Sequence, residues 1–397
     1  NNLRQLIANN LLLKRSKTVL TRKHNTQSNF WRSPMLKLLF AGITGYSAYL
    51  NLNYLISGLN YFNSLSIMEC FSLQQKEISI SSYPANNPIE DRYDIKFLKS
   101  LKGGAFFSVL DGHGGFTMSE FANQRLAKYF DELLPSALKN NPNEQQAVSA
   151  CLKETFAKVE SEFKEFAIGQ YNYGEGKLAC VGSCALVAVI YNDYLYVANL
   201  GDSKARLIRY DPQAKEYYAE KLMHRHQCEK PREMERLKKM FPNDKDIVVC
   251  KRPNNTVCYV KGRLQPTRAF GDFHLKHQEF NLYDSMGYKR PIKVFNGPYI
   301  SAVPEITVYP LDYTKDKYIF LSSDGLCDYV RTTEIVDIMS KKLNKSETPK
   351  ADDLLERVLQ NAAAESGLTK EQIQRIPLGK RRSYHDDTTI LLFPLKK

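Results

Sequence analysis

The first 68 residues contain no aspartate or glutamate, although the whole chain has 397 residues and 43 acidic side chains. Eight lysines and arginines lie in this stretch, so they account for more than half of the formal net charge of +13. A folded domain that binds nucleic acid carries its positive charge on the surface of that domain. The uneven charge therefore argues against nucleic acid as a partner.

The eight cysteines show no regular spacing. This absence predicts no disulfide framework and fits a reducing compartment. The nearest approach to a soft-metal site is the sequence HRHQC, which contains His224, His226 and Cys228. No second Cys/His pair lies at a suitable spacing for zinc, and a solvated loop is the simpler interpretation.

Three motifs of phosphate and ester chemistry are also missing. There is no G-x-x-x-x-G-K-[ST] loop for a nucleotide. No cysteine is followed six residues later by arginine, and no G-x-S-x-G turn is present. The chain therefore lacks the phosphate loop of nucleotide-binding proteins and the nucleophiles of thiolate phosphatases and serine hydrolases.

The acid-free start of the chain has two parts. Residues 1–34 are basic and rich in Ser, Thr and Asn, which is typical of a mitochondrial import segment; a disordered basic tail is the alternative. Residues 36–60 are predicted to form a transmembrane or membrane-associated helix, because Leu38 to Leu59 is apolar and could cross a hydrocarbon core of about 30 Å. These features predict the mitochondrial inner membrane; a helix packed into an inner-membrane protein complex is the alternative.

The body of the chain, residues 69–397, alternates blocks of helices and strands. Hydrophobic periodicity predicts helices within 117–134, 148–163, 229–241, 332–343 and 349–366, and strands within 183–191, 194–200, 204–210, 318–323 and 388–395. Thr117 and Glu120 form a capping-box signature at the first helix. Asn192 and Asp193 predict a hairpin turn that leads into a meander. This order favours an α+β fold of antiparallel sheets covered by helices on their outer faces.

Acidic residues lie at one end of four apolar strands, and a fifth acidic pair lies in ANNPIEDR. These residues are Asp111, Asp202, Asp324, Asp386 with Asp387, and the pair Glu90 and Asp91. A single Asp-Gly pair would predict only a turn. If the strand ends gather, however, mutual repulsion would raise the carboxyl pKa values unless cations lie between them.

The donor set at these strand ends consists of oxygen atoms alone, which favours Mg²⁺ or Mn²⁺ over zinc. Two such ions bridged by one carboxylate would lower the pKa of a shared water and make it a nucleophile. This arrangement suits the attack of water on phosphorus. Gly112 could offer its carbonyl oxygen, and His113 could protonate the leaving alkoxide; a plain turn residue is the alternative for His113.

The motifs IEDR, VLDGHGG, GSCA, VANLGDSKARL, LQPTRAFGD, SSDGL and HDDTTILL occur in this order. Together they resemble the metal-dependent Ser/Thr protein phosphatases of type 2C, over about residues 75–397. Within that family, ANNPIEDR and LQPTRAFGDFHLK are most similar to the mitochondrial pyruvate dehydrogenase phosphatases. The resemblance implies a four-layer α/β/β/α sandwich of two antiparallel sheets flanked by helices, a dinuclear Mg²⁺ or Mn²⁺ centre between the sheets, and a phosphoprotein substrate.

The resemblance also implies a role for each residue of the acidic motifs. These roles are a bridging ligand to both ions (Asp111), a carbonyl ligand (Gly112), ligands to one ion (Asp324 and Asp386), ligands to the second ion or to metal-bound waters (Glu90 and Asp91), a general acid (His113), and a residue that orients waters or helps hold a third ion (Asp202). Of these, Asp111, Asp202 and His113 would act directly in catalysis.

Several positions depart from the pattern of the family. Many members carry an arginine four residues before the first acid, where it grips the substrate phosphate, but this chain has Asn86; Arg92 or Arg268 could supply the missing charge. Cysteine, lysine and cysteine replace the usual threonine, arginine and tryptophan at three further positions, Cys184, Lys204 and Cys327. None of these changes removes a metal ligand. They leave open an active phosphatase, a phosphatase-like structural subunit of an inner-membrane complex, or a membrane phosphatase outside mitochondria.

Overall fold

The strands and helices below come from a computed structural model. It describes residues 77–100, 104–172, 176–251, 256–282 and 290–395. The predicted import segment and membrane helix, 1–34 and 36–60, lie outside these residues. Within the described part of the chain, no helix is both long enough and apolar enough to cross a membrane. All described residues belong to one compact unit.

The described residues form thirteen strands. They are β1 (Ser79–Tyr83), β2 (Arg92–Phe97), β3 (Ala105–His113), β4 (Gly182–Tyr191), β5 (Tyr194–Leu200), β6 (Lys204–Asp211), β7 (Glu216–Lys221), β8 (Val248–Lys251), β9 (Val257–Val260), β10 (Phe270–Gly271), β11 (Glu305–Pro310), β12 (Asp316–Ser322) and β13 (Thr388–Pro394). The α-helices of the same residues are α1 (Thr117–Asn123), α2 (Leu126–Asn140), α3 (Glu144–Asn172), α4 (Pro231–Met240), α5 (Asp324–Cys327), α6 (Thr332–Leu343), α7 (Ala351–Ser366) and α8 (Lys370–Arg375).

Two antiparallel sheets carry the fold. One has the strand order β1-β13-β12-β6-β7, and the other has the order β11-β5-β4-β3-β2 with β10 beside β4. The pairings within both sheets are antiparallel. Strands β8 and β9 form a separate hairpin in the segment between β7 and β11.

Side chains alternate between two apolar layers along the strands. On β3, Phe107 and Val109 point into the layer between the sheets, where they join Leu321 and Phe393 of the opposite sheet. Phe106, the neighbour of Phe107, instead packs in the layer that holds α1, α2 and α3. Successive residues of a strand point to opposite faces, so a strand buried on both sides must be apolar throughout.

The second sheet is covered on its outer face in the same way. Ile208, Phe320 and Leu392 pack there against Ile335 of α6 and Val358 of α7. The order of layers is therefore helices, sheet, sheet, helices, which confirms the antiparallel sandwich flanked by helices. The segment between β7 and β11 adds a small apolar core of its own.

The structure differs from the predicted elements after the glycine-rich motif. Two helices, α1 and α2, replace the single helix predicted within 117–134, because a turn at Gln124 and Arg125 separates them; Arg125 has a φ of −118° and pairs with Glu162 on α3. The residue before α1 is Phe116, which makes no side-chain cap. The capping box predicted at Thr117 and Glu120 is therefore wrong.

The predicted hairpin is confirmed, but the predicted meander is wrong. Asn192 and Asp193 have positive φ angles of 46° and 62°, as a tight hairpin turn requires. The following strand β6 pairs with β12 and β7 in the other sheet, not with β5. Both strands are buried on two faces, so their apolar pattern does not encode which sheet each one joins.

One pair of cysteines contradicts the expectation of a chain without disulfides. Cys250 and Cys258 lie opposite each other in the β8–β9 hairpin and are joined by a disulfide. Facing positions of an antiparallel hairpin bring two side chains close together. The eight-residue separation of this pair gives no comparable signal in the sequence.

Candidate metal centre

Strand directions bring the acidic residues to one edge of the sandwich. β3 and β5 both run antiparallel to β4, so Asp111 near the end of β3 and Asp202 after β5 lie at the same edge. β12 ends at Ser322, two residues before Asp324, and Ser322 pairs with Ile390 of β13, which begins directly after Asp386 and Asp387. Residues more than two hundred positions apart in the chain therefore meet between the two sheets.

Three of these carboxylates form a group that could hold a metal ion. Asp111, Asp202 and Asp324 each offer one oxygen, and the three oxygens lie within 4.8 Å of one another. The backbone N–H of Asp324 donates a hydrogen bond of 3.2 Å to Asp111 Oδ2. Asp324 Oδ1 is buried without a hydrogen-bond partner, as is Asp91 Oδ2. Buried oxygens without donors fit a hard divalent cation, which would supply the missing charge.

The electrostatics of the acids agree with this interpretation. Burial raises the pKa of Asp111 well above its usual range, and the charge of Asp324 raises it further. Burial and the charge of Asp202 likewise raise the pKa of Asp324. Burial raises the pKa of Asp91 to about 8, and the nearby Ser323 hydroxyl offsets this shift only in part. Without cations, the protein therefore binds protons at this site more tightly than free carboxyl groups do.

Asp386 and Asp387 follow each other in the sequence but have different surroundings. Asp386 lies outside the three-carboxylate group, and its Oδ2 is 2.6 Å from Nη2 of Arg382. Burial raises the pKa of Asp386 to about 6. Asp387 accepts four hydrogen bonds, from the backbone N–H groups of Ala85, Asn86 and Glu90 and from the Asn86 side chain. Asp387, which the motif analysis left without a role, therefore fastens the loop that carries Glu90 and Asp91.

Glu90 and Gly112 touch each other at the end of β3. A Cβ atom on Gly112 would lie 2.4 Å from the carbonyl oxygen of Glu90, so only glycine fits here. Ser119 of α1 donates a hydrogen bond of 2.5 Å to the same carbonyl oxygen. Burial raises the pKa of the Glu90 side chain, and the charge of Asp387 adds to this shift. Glu90 thus lies beside the group of acids that sequence analysis predicted it would join.

His113 is held by a residue that the role assignments missed. Its Nε2 lies 2.7 Å from Oδ2 of Asp272, whose side chain is fully buried. Burial by itself would lower the pKa of His113, but the charge and the hydrogen bond of Asp272 outweigh it and raise the pKa. A Cβ atom on Gly182 would lie 2.0 Å from Asp272 Oδ2 and 2.3 Å from His113 Nε2. The motifs LQPTRAFGD and GSCA thus contain the partner of His113 and the glycine that makes room for it.

The HRHQC sequence contacts Asp202 rather than forming a zinc site. Arg225 Nε donates to the Asp202 carbonyl oxygen at 2.6 Å, and Gln227 Nε2 donates to its carboxylate at 3.2 Å. His226 accepts a hydrogen bond from the backbone N–H of Gly201. Cys228 packs in the separate apolar core of the segment between β7 and β11. Among the described residues, no group of possible metal ligands includes these histidines or this cysteine.

Both arginines that were predicted to bind the substrate phosphate have other partners in the structure. Arg92 donates to Glu120 at 2.5 Å and to two backbone carbonyls. Arg268 donates to the carbonyl oxygen of Val303 and lies 4.0 Å from Glu305. Arg382 is a further cation beside the acids: it contacts Asp386, and its side chain is 53% exposed.

The raised pKa values predict how the metal-free protein responds to pH. A carboxyl group whose pKa is higher in the folded state contributes stability at low pH and loses it as the pH rises through the folded-state pKa. For Asp91 this range runs from 3.8 to about 8. We expect the melting temperature in EDTA to fall as the pH rises from 5 to 8, and we expect Mg²⁺ or Mn²⁺ to reverse most of that fall. Melting curves that do not depend on pH in EDTA would contradict the prediction.

Comparison with known proteins identifies the family. The family model described as protein phosphatase 2C matches residues 89–369. Probable protein phosphatase 2C 64 of Arabidopsis thaliana is 34% identical over 325 residues, which is 80% of this chain and 76% of that protein. Probable protein phosphatase 2C 72 of Oryza sativa subsp. japonica is 32% identical over 322 residues, with 80% and 78% of the two chains covered.

Solved structures share the fold at lower identity. Serine-threonine phosphatase 2C from Toxoplasma gondii has a TM-score of 0.54 and 18% identity, and the match covers 80% of this chain and 94% of that chain. A C. elegans sex determining protein has a TM-score of 0.52 and 16% identity, with 80% and 64% covered. From the family match and the carboxylates that lie together, we conclude that the chain belongs to the protein phosphatase 2C family of metal-dependent protein phosphatases.

Proposed function

We propose that this chain hydrolyses phosphoserine or phosphothreonine in a protein substrate, by attack of a metal-activated water at a dinuclear Mg²⁺ or Mn²⁺ centre. The observation that carries the proposal is the meeting of Asp111, Asp202 and Asp324 within 4.8 Å. Two ions, and a third that binds more weakly, would suit the number of carboxylates around this group. In this proposal residues 69–397 form the phosphatase domain.

Different acidic residues would bind different ions. Asp111 would bridge them, with Gly112 offering its carbonyl oxygen and Asp324 and Asp386 completing one site. Glu90 and Asp91 would hold the second ion or its waters, and Asp202 would orient water or hold a third ion. Bound divalent ions supply a nucleophilic hydroxide by lowering the pKa of water, and they neutralise charge on the phosphoryl oxygens.

His113 would transfer the proton that the reaction requires. Asp272 raises the pKa of His113, which favours the protonated imidazole that would donate to the alkoxide leaving phosphorus. Asp272 acts as a positioning residue, because its hydrogen bond of 2.7 Å fixes the imidazole ring and favours the cation. With Nε2 paired to Asp272, Nδ1 would be the ring nitrogen that donates the proton.

We further propose that Arg382 grips the substrate phosphate in place of the arginine that Asn86 replaces. Asn86 donates its side-chain N–H to Asp387, so it is occupied in holding the loop. Carboxylates repel a phosphate dianion, and a cation beside them offsets this repulsion. A guanidinium can also bind two phosphate oxygens at once.

The Arg382→Ala variant should therefore raise KM for a phosphoserine peptide about tenfold, with a smaller effect on kcat. This expectation corresponds to about 1.4 kcal/mol of binding, as for one charge-assisted contact. Lys341→Ala is the matched control, because Lys341 forms an exposed pair with Asp337 at the same i,i+4 spacing. Equal KM values for the two variants would remove Arg382 from the phosphate site.

The direct test of the proposed activity uses the full chain and a phosphoserine peptide. We expect release of inorganic phosphate with Mn²⁺ or Mg²⁺ and no release in EDTA. We also expect activity to return when the metal is added back. A folded protein that shows no turnover at millimolar Mn²⁺ would instead favour a structural subunit with a phosphatase fold.

For location, we propose the mitochondrial inner membrane, with residues 1–34 as the import segment and residues 36–60 as the membrane anchor. The basic composition of the first part and the uncharged stretch of the second support this proposal. The likeness of ANNPIEDR to the pyruvate dehydrogenase phosphatases points to a mitochondrial phosphoprotein as substrate. A fusion of residues 1–68 to a fluorescent reporter should reach mitochondria, and a cytosolic reporter would reject the proposal.

A further inference from the structure

A strongly basic pocket lies beside the metal centre, outside the site described above. Its volume is about 410 Å³, and its lining includes residues of β6 and β7 and the start of α4. No aspartate or glutamate belongs to the lining. Six of the lining residues are cations, namely Lys204, Arg206, Lys221, Arg225, Lys230 and Arg232.

The positive charge of this basic pocket is only partly balanced by the protein. Arg232 lies 3.0 Å from Glu305 Oε2, and Lys230 lies 3.8 Å from Glu229. Among the described residues, no ion pair within 4.0 Å involves Lys204, Arg206 or Lys221, although Lys204 is buried and Arg206 is half-buried. Clustered cations repel one another, and their burial costs free energy unless an anion balances them.

Two further features favour an anion inside the basic pocket. Arg225 lines the pocket, and among the described residues its buried Nη2 has no hydrogen-bond partner, whereas its Nε donates to the Asp202 carbonyl oxygen. Helix α4 begins at Pro231 in the pocket wall, so its free N–H groups and its dipole add positive potential there. A guanidinium donor, flexible ammonium groups and a helix N-terminus together match the donors that bind phosphate in other proteins.

We propose that the basic pocket is a second anion site that binds a phosphate group, separate from the phosphate that would be hydrolysed. Its wall touches the metal centre, because Arg225 lines the pocket and donates to the carbonyl oxygen of Asp202. The phosphate group comes either from a second phosphorylated residue of the protein substrate or from a free phosphorylated small molecule. Only the first of these sources rests on the proposed phosphatase activity.

A titration of metal-free protein distinguishes anion binding in the basic pocket from anion binding at the metal centre. In EDTA the bare carboxylates repel anions, so inorganic pyrophosphate can bind only where cations are in excess. Calorimetric titration of the full chain with pyrophosphate at 150 mM salt should give saturable binding. The double variant Lys221→Glu/Lys230→Glu should weaken this binding at least tenfold. Both side chains are exposed, and a glutamate before α4 suits the helix N-terminus, so the variant should fold.

The matched control is Lys215→Glu/Lys345→Glu, which makes the same change of charge at exposed positions outside the pocket. This variant should bind pyrophosphate within about twofold of the wild type, because distant surface charges are screened by salt. Equal affinities for the pocket variant and the control would overturn the proposal. Absence of binding by the wild-type protein would also overturn it.

A second arm identifies the source of the phosphate group. With Mn²⁺, KM is compared for peptides that carry one or two phosphoserines. A lower KM for the second peptide, lost in the pocket variant and kept in the control, assigns the site to the substrate. Equal KM values together with pyrophosphate binding assign it to a free phosphorylated ligand. If neither peptide is hydrolysed, the proposed activity fails, while the metal-free titration still decides the proposal about the pocket.

Discussion

The Asp111→Asn variant is expected to lose phosphatase activity by a factor of at least about 10³. Asp111 lies within 4.8 Å of two other carboxylates, and the amide of asparagine cannot supply the charge that holds divalent ions between them. A bound metal that generates a nucleophile contributes several kcal/mol to lowering the barrier, and about 4 kcal/mol corresponds to that factor. Initial rates with a phosphoserine peptide and Mn²⁺ measure the loss.

A second measurement separates lost chemistry from lost folding. The raised pKa of Asp111 reflects burial and repulsion by Asp324, and both are relieved when the side chain becomes neutral. The melting temperature of Asp111→Asn in EDTA at pH 8 should therefore exceed that of the wild type, and added Mn²⁺ should shift it less. Asp337→Asn on the exposed face of α6 is the control and should change neither quantity. A turnover rate of Asp111→Asn equal to that of the wild-type protein would contradict the proposed mechanism.

The Asp387→Ala variant is expected to lose about 3–5 kcal/mol of unfolding free energy. Asp387 is buried and accepts four hydrogen bonds, three of them from backbone N–H groups of the loop 85–90. Truncation to alanine would leave these donors without partners in a buried region. Unpaired buried donors of a charged hydrogen-bond network lower the stability of the folded protein strongly. Urea unfolding monitored by circular dichroism, in EDTA so that metal binding does not contribute, gives the difference.

The neighbouring residue provides the control for this second prediction. Asp386 contacts the half-exposed Arg382, and burial raises its pKa to about 6. Asp386→Ala should therefore change the unfolding free energy in EDTA by less than about 1 kcal/mol, because it removes a charge that is partly unfavourable in the folded protein. Equal destabilisation by the two variants would show that the hydrogen bonds of Asp387 do not fasten the loop.

Several structural features could be predicted because they depend on short-range pattern. The strands around Asp111 and Asp324 are apolar runs that end in Asp-Gly, and their positions are confirmed. The helix predicted within 349–366 is found as Ala351–Ser366, and it ends at Gly367, whose positive φ of 66° is a conformation that glycine adopts without strain. In each case the residues that decide the element lie within a few positions of one another.

Other features depended on how distant segments pack. Asp272 is separated from His113 by 159 positions, and nothing near either residue shows that they touch. Likewise, the repeated Asp-Asp of HDDTT does not show that Asp387 holds a loop while Asp386 contacts Arg382. The role that the resemblance implied for Asp202, to orient waters or help hold a third ion, likewise did not specify that its carboxylate lies with those of Asp111 and Asp324.

The amino-acid sequence by itself determined several of the strands and helices, the layered class of the fold and the acidic residues at the strand ends. Local periodicity is enough for these, because burial on one or two faces dictates which positions are apolar. Only the tertiary structure decided which sheet β6 joins, which acids share a site, and that six cations line one pocket beside it. The reason is physical: distances between side chains far apart in the chain follow from the packing of whole sheets and helices, which no local pattern encodes.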